Sequence, residues 1–429
     1  MKRRARLFRP VGPALAAIVL AATACGPDVP APAGPTWITT HVSRTVVGTT
    51  TTNYVGAWTD LDWASTLQVD TATGGGGSAS LLLFPRSGPG NSTLGSPQTL
   101  TPTVSPSLSG PIGGHVIGLP GTVNGNPAIE FFKRTAGTWG SAGMFTLPAN
   151  QQVAAMTDAW LVTRDVPINA GVEAHVYLFP LDTSGPSVVV GGATTLGPDP
   201  AWPLALREGF GGPGAAIDGD LLVVGAQGQF SPTPGGARVF RATGSVWAPV
   251  LSLGASPTGP NNYARALAVD DGPTIDRIAL GPQADGIPSV EVFADSGSGF
   301  TLEQTIVRDP GDPDEFQGLL FGNGLALDGD LLAVTARAVL VPSAQVGHAD
   351  VKVGYVQLFR KGATWAREAE VPVFTNPASP GTVSSLPFKL QAAGNHVAVF
   401  VFVTPDPPPG CTFPCFNFGV EAWSIDRTG

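Results

Sequence analysis

Ala216-Ile-Asp-Gly-Asp-Leu-Leu-Val-Val-Gly-Ala226 is followed by Ala237-Arg-Val-Phe-Arg241 and then Trp247. The phrase returns almost letter for letter. Ala326-Leu-Asp-Gly-Asp-Leu-Leu-Ala-Val-Thr-Ala336 is followed by Tyr355-Val-Gln-Leu-Phe-Arg360 and Trp365. An internal repeat of this length makes each copy one supersecondary unit that buries its apolar face only by stacking on neighbours.

Each part of the unit has a physical reading. Ala216-Ile-Asp218 ends a strand, and Asp218-Gly219 is a tight turn, because glycine accepts the positive φ of a two-residue hairpin. Leu221 to Ala226 is a continuous apolar run, the pattern of a strand buried on both faces. A variable polar loop follows. Ala237 to Arg241 alternates, so one face is buried and the other wet. Thr243-Gly244-Ser245 turns the chain into a fourth strand from Trp247 to Leu253. Four antiparallel strands per copy make a propeller blade.

Registered on the aromatic of the third strand, weaker copies become visible. The aromatics are Phe84, Phe132, Phe179, Phe240, Phe293, Phe359 and Trp423. Their spacings are 48, 47, 61, 53, 66 and 64 residues, and the excess over four short strands falls mainly between the second and third strands. The expected fold is therefore all-β, a seven-bladed propeller of four-stranded antiparallel blades. The last copy stops at Gly429 before a fourth strand, while Gly34-Pro-Thr-Trp37 resembles Gly362-Ala-Thr-Trp365. The strand near Trp37 is expected to complete the blade that ends at Trp423, leaving no open sheet edge. Trp139, Trp247 and Trp365 recur at one place in the unit, which predicts blade-to-blade packing rather than a ligand cage.

Phe210-Gly211, Ala216 to Ala226, Arg238 to Arg241 and Trp247 resemble the bacterial FG-GAP repeat, the unit related to the integrin α-subunit propeller; Phe321-Gly322 with Ala326 to Ala336 is a second good copy. The other five copies lack the Phe-Gly. The resemblance implies a propeller used for adhesion or protein contact. In integrin-like members, calcium sits in the loop between the first two strands on a pattern like Asp-x-Asp-x-Asp-Gly. Here that place holds only Asp218-Gly219-Asp220 and Asp328-Gly329-Asp330, two-residue hairpins too short to wrap an ion that needs six to eight oxygens. The fifth copy is longer, Asp270-Asp271-Gly-Pro-Thr-Ile-Asp276, so Asp270, Asp271 and Asp276 are the metal candidates, weighed against a solvated hairpin. Asp309, Asp312, Asp314 and Glu315 read as an exposed connector.

The N-terminus reads differently. Lys2, Arg3, Arg4, Arg6 and Arg9 precede an apolar stretch from Val11 to Ala22, then Ala22-Thr23-Ala24-Cys25-Gly26. The order of basic, apolar and small residues is that of a secretory signal. The cysteine at the junction resembles a bacterial lipobox, although Ala22 stands where that family usually has Leu. The expected organisation is a signal peptide over residues 1–24, lipid on Cys25, a Pro/Ala-rich tether over 25–35, and the propeller over 36–429. Gly26 after the cysteine resembles signals routed to an outer membrane. Cys411 and Cys415 then form an even pair outside the cytoplasm, expected as a local disulfide.

The full chain has 23 basic and 32 acidic residues; without the five basic residues of 1–24, 18 basic residues remain and the net charge falls to −14. That excludes the basic footprint of a nucleic-acid binder. The five histidines, His41, His115, His175, His348 and His396, make no paired zinc motif, and His115 and His396 are expected at packed or channel-lining positions in second strands. No Gly-x-Ser-x-Gly elbow is present. The first expectation is a monomeric, lipid-anchored module at the outer membrane or cell surface that binds a protein or glycan, with no cofactor and no enzymatic activity. Its contacts would come from Gln227 to Gly235, Ala338 to Gly354 and Thr404 to Asn417. The alternatives are a propeller enzyme acting on glycans or with a quinone cofactor, which needs convergent carboxylates or bases on the ring axis, and a purely structural envelope protein.

Overall fold

The two clear repeats fold as written. In the fourth blade, Phe210–Asp218, Leu221–Ala226, Gly236–Thr243 and Val246–Gly254 pair in that order, all antiparallel. Asp218 faces Leu221 across the hairpin, and Gly219 takes a φ of 50°. Leu221–Ala226 is buried throughout, as its unbroken apolar run requires. The sixth blade repeats this with Leu325–Asp328, Leu331–Val341, Val351–Lys361 and Trp365–Val373.

The computed structural model describes residues 36–42, 46–47, 50–59, 63–72, 77–87, 93–106, 112–113, 115–166, 171–227, 235–254, 263–281, 289–309, 321–341, 351–373, 382–405 and 419–428. Within them the chain is all-β, a propeller of seven blades, with one short helix, Leu204–Glu208. Cys25, Cys411, Cys415 and His348 lie outside the described residues, as do the tether and most of the three long loops.

The weaker copies follow the same plan. The first blade is built on Thr50–Thr59, Trp63–Ala72 and Gly77–Ser87, with Gln98–Leu100 outermost. In the second, Val116–Val123, Asn126–Thr135 and Thr138–Thr146 carry the sheet, and two fragments, Ser105–Pro106 and Ile112–Gly113, stand in for the inner strand. The third comprises Gln151–Met156, Trp160–Asp165, Val176–Asp182 and Thr194–Leu196. The fifth comprises Ala266–Asp270, Asp276–Gly281, Ser289–Asp295 and Thr301–Val307.

The seventh blade takes Thr382–Ala393, His396–Pro405 and Gly419–Thr428 from the end of the chain. Its fourth strand is Thr36–Val42, antiparallel to Gly419–Thr428, with Trp37 opposite Arg427 and His41 opposite Trp423. The N-terminal strand thus closes the last blade. Two loop readings are corrected. Ala338–Val341 and Val351–Gly354 prolong the second and third strands of the sixth blade, because Val339 and Val353 pair in register, and Thr404 and Pro405 belong to a strand.

The core lies between blades, and each of the seven seams has its own apolar cluster. The recurring tryptophan seals three of them. Trp139 of blade 2 stacks edge-on to Trp63 of blade 1 at 6.0 Å, and Trp247 of blade 4 meets Trp160 of blade 3 at 5.3 Å. Trp365 of blade 6 takes the Arg277 guanidinium of blade 5 over its ring at 5.8 Å. Trp63 and Trp160 open the second strands of their blades, and Arg277 is the second residue of its own. Gln98 grips the backbone of Trp139 through both amide atoms, and Gln304 grips Trp365 in the same way.

Candidate functional site: the ring axis and its two faces

The inner strands of blades 2 to 7 line the axis and are each followed by the hairpin or short turn that leads into the second strand. The ends of these strands, with their hairpins, make one face; their starts, together with the connections from second to third strands, make the other. Between the faces runs a channel with a volume of about 1210 Å³. Its walls are mostly small, for example Ala154, Ala155, Ala215, Ala216, Ala266 and Ala268.

The hairpin face is acidic and hydrogen-bonded from blade to blade. Asp218, Asp270 and Asp328 each end the inner strand of their blade. Each accepts a backbone N–H from the next blade's hairpin. Asp218 Oδ2 accepts from Asp271 at 2.9 Å, Asp270 accepts from Gly329, and Asp328 Oδ2 accepts from Gly394. Asp271 Oδ2 returns a bond by accepting the N–H of Asp220 at 2.7 Å. The first Asp of the Asp-Gly-Asp repeat is therefore more than a turn former, since it staples its blade to the following one. Asp158 of blade 3 reaches the other way and accepts the N–H of Val116 at 2.9 Å.

Concentrating these carboxylates has an electrostatic cost. Burial pushes the Asp218 pKa up to about 6, and its neighbours Asp270, Asp271 and Asp328 push in the same direction against the Asp271 hydrogen bond. Burial, helped by the Asp328 and Asp276 charges, also raises Asp270. Asp276 is raised too, first by burial and then by its hydrogen bond to Asp271, against the pull of Arg241.

The three metal candidates are thus close in sequence and differently engaged. Asp270 holds the Gly329 amide, Asp271 holds the Asp220 amide, and Asp276 is ion-paired to Arg241 of blade 4. Among the described residues no group of three or more carboxylate, imidazole or thiol side chains converges as a metal site.

The opposite face presents the starts of the inner strands. Arg265 precedes the inner strand of blade 5, and Asn323 occupies the same level in blade 6. Gln227 follows the second strand of blade 4. Lys389 lies within the inner strand of blade 7, opposite Phe400 and four residues from the strand's end at Ala393. Burial lowers the Lys389 pKa.

One buried polar cluster carries no repeat signal. At the seam between blades 7 and 1, Arg86 Nη1 lies 2.6 Å from Asp426 Oδ1, with both side chains fully enclosed. Arg86 Nη2 donates to Ser424 Oγ at 3.0 Å. His396 Nδ1 lies 2.7 Å from Asp426 Oδ1 and 3.2 Å from Arg86 Nη1. Ser, His and Asp meet here, but Ser424 Oγ donates to Asp426 at 2.9 Å, and the cluster is sealed from solvent. A nucleophile needs a base within reach and access for substrate, so this is a structural clasp. Sequence reading placed His396 correctly in a buried second strand, but nothing in the sequence marked Arg86, Ser424 or Asp426 as its companions. His115 departs from expectation: it is exposed, one residue before the second strand of its blade.

No family model and no curated protein matches the chain. Among solved structures it is similar to the β-propeller domain of the Trilobed protease from Pyrococcus furiosus, at 9% identity over 82% of this chain and 95% of that one, with a TM-score of 0.43. A protein from Lactobacillus plantarum aligns at 11% identity over 84% and 99% of the two chains, with a TM-score of 0.46. Sqt1 from Chaetomium thermophilum, solved bound to the N-terminus of the ribosomal protein L10, aligns at 11% identity over 88% and 96%, with a TM-score of 0.42.

Proposed function

We propose that this chain is an exported, lipid-anchored propeller of FG-GAP type, attached through Cys25, that binds a protein at the outer membrane or cell surface. The observation that carries the reading is the inequality of the two faces. On one, the hairpins after the inner strands are two residues long in blades 4, 6 and 7. On the other, thirteen residues separate Pro405 from Gly419, and nine separate Val341 from Val351. Ten separate Asp165 from Val176 in blade 3, a connection the sequence reading did not single out. Long connections gathered on one face of a rigid ring are where such scaffolds place recognition. The test has two arms. Metabolic labelling with a palmitate analogue should mark the wild type and spare Cys25→Ser. Crosslinking from envelope extract should recover a partner that is lost when residues 406–418 are replaced by a Gly/Ser linker. Recovery of the same set with both chains, or of none, contradicts the binding reading.

One observation favours a second reading, an enzyme acting on glycans. Asp158, Asp218 and Asp328 all line the channel, and Asp218, with a pKa of about 6, is poised for general acid–base work near neutral pH. The same carboxylates also serve as blade staples, which accounts for them without chemistry. Glycan hydrolysis that disappears in Asp218→Asn while the melting temperature holds would make the enzyme reading the better one.

A further inference from the structure

The axial channel is electrically polar. Of the charged side chains lining it among the described residues, the acids Asp158, Asp218 and Asp328 stand toward the hairpin face, and the cations Arg265 and Lys389 stand toward the loop face. The separation follows from strand geometry. Arg265 precedes by five residues Asp270, the blade-5 counterpart of Asp218 and Asp328, which at about 3.3 Å per residue is roughly 17 Å. Lys389 stands four residues before Ala393, which holds the same place in blade 7, or roughly 13 Å.

The chain as a whole is strongly acidic, so two cations at one mouth of its central channel are a local reversal of charge. Arg265 is exposed and offers a planar guanidinium fork suited to paired oxygens. Lys389 sits about one residue deeper along its strand, and burial lowers its pKa. Gln227 and Asn323 line the same mouth and add amide groups. The small walls of the inner strands leave room for a slender ligand. The carboxylates beyond repel a second anion and limit how far the first can enter.

We propose that the loop-face mouth of the channel is a binding site for a small oxyanion-bearing ligand, held between Arg265 and Lys389. The ligand chemistry is a carboxylate or phosphate group on a narrow molecule. The site rests on Arg265 and Lys389, which belong to none of the loops proposed to hold a protein partner, although Gln227 begins one of them, and it stands whether or not those loops bind.

The experiment is isothermal titration of the purified propeller with citrate and, separately, with inorganic pyrophosphate at low ionic strength. The expected result is saturable one-to-one binding of at least one of them. Binding should weaken by about tenfold or more in Arg265→Ala and in Lys389→Met, the loss expected for one charge-assisted contact. It should also weaken as sodium chloride is added. Which of the two binds more tightly assigns the group as carboxylate or phosphate. Arg265→Ala changes an exposed side chain and decides the matter if Lys389→Met fails to fold. Absence of binding by either anion at millimolar concentration, or affinities unchanged in Arg265→Ala, overturns the proposal.

Discussion

The seams between blades 4, 5, 6 and 7 are joined by the same device, whereas the seam between blades 7 and 1 is joined by another. Along the first series the terminal Asp of one inner strand takes the next hairpin's N–H, from Asp218 to Asp271, Asp270 to Gly329 and Asp328 to Gly394. Sizeable apolar clusters lie behind these contacts, such as Leu221, Val223, Val239, Ile278 and Leu280 between blades 4 and 5. At the closing seam the apolar cluster among the described residues is small, Ala398 with Phe84 and Leu94, and the buried Arg86–Asp426–His396–Ser424 group stands beside it. Repeated neighbours can share one repeated contact. The junction where the last blade meets the first has no counterpart elsewhere, so its contacts are particular to it.

The largest expected effect comes from the closing seam. Arg86→Met leaves the Asp426 carboxylate buried without its cation and should cost about 3–5 kcal/mol in denaturant unfolding. Adding Asp426→Leu to that variant should recover a large part, because the unpaired charge is then gone. A loss below about 1 kcal/mol for Arg86→Met would mean that the ion pair does not hold the seam.

Next come two glycines with identical sequence neighbours. Gly219 and Gly329 both have positive φ, 50° and 59°. A Cβ on Gly219 would stand 2.0 Å from Asp271 Oδ2, whereas one on Gly329 would meet nothing within 4 Å. Gly329→Ala should therefore cost only the backbone term, about 1 kcal/mol, while Gly219→Ala should cost about 3 kcal/mol as it also pushes the blade-5 carboxylate away. Equal losses would show that the staple at Asp271 is not energetically distinct.

The staple also makes a pH prediction. The folded pKa of Asp218, about 6, lies above the unfolded value near 3.9. Its ionisation therefore opposes folding. The stabilising contribution of the protonated group is fully present below about pH 4 and is lost as pH rises through about 6. Asp218→Asn keeps an acceptor for the Asp271 N–H without the charge. Relative to this variant the wild type should lose on the order of 1–3 kcal/mol between pH 4 and pH 7. A difference that stays flat over that window contradicts the assignment. The smallest expected effect is that of Gln304→Ala, about 1 kcal/mol, for the paired amide contacts to the Trp365 backbone; Gln98→Ala should match it at Trp139.

What the sequence revealed follows the same division. The Asp-Gly-Asp hairpin, the apolar run Leu221 to Ala226 and the third-strand aromatics recur, so the blade, the number of blades and the role of Trp139, Trp247 and Trp365 could be read directly. The closing strand at Trp37 was legible because it repeats the fragment around Trp365. Arg86 and Asp426 lie 340 residues apart and belong to no shared pattern, so only the closed ring brings them together. The staple function of Asp218 was hidden for a related reason: a turn-forming Asp and a stapling Asp look alike until the neighbouring blade is in place. Lys389 and Arg265 each lie in a degenerate copy, and only the assembled ring shows that both line the one channel.

The central claim is that a single ring is closed by Thr36–Val42 pairing with Gly419–Thr428. The most direct measurement is hydrogen exchange with thermal melting on the purified chain, with and without residues 36–42. Deletion should lower the melting midpoint and strip protection from those amides of 419–428 that bond across to the N-terminal strand, while the hairpin of blade 4 stays protected. An unchanged midpoint, with protection of 419–428 intact, would contradict it.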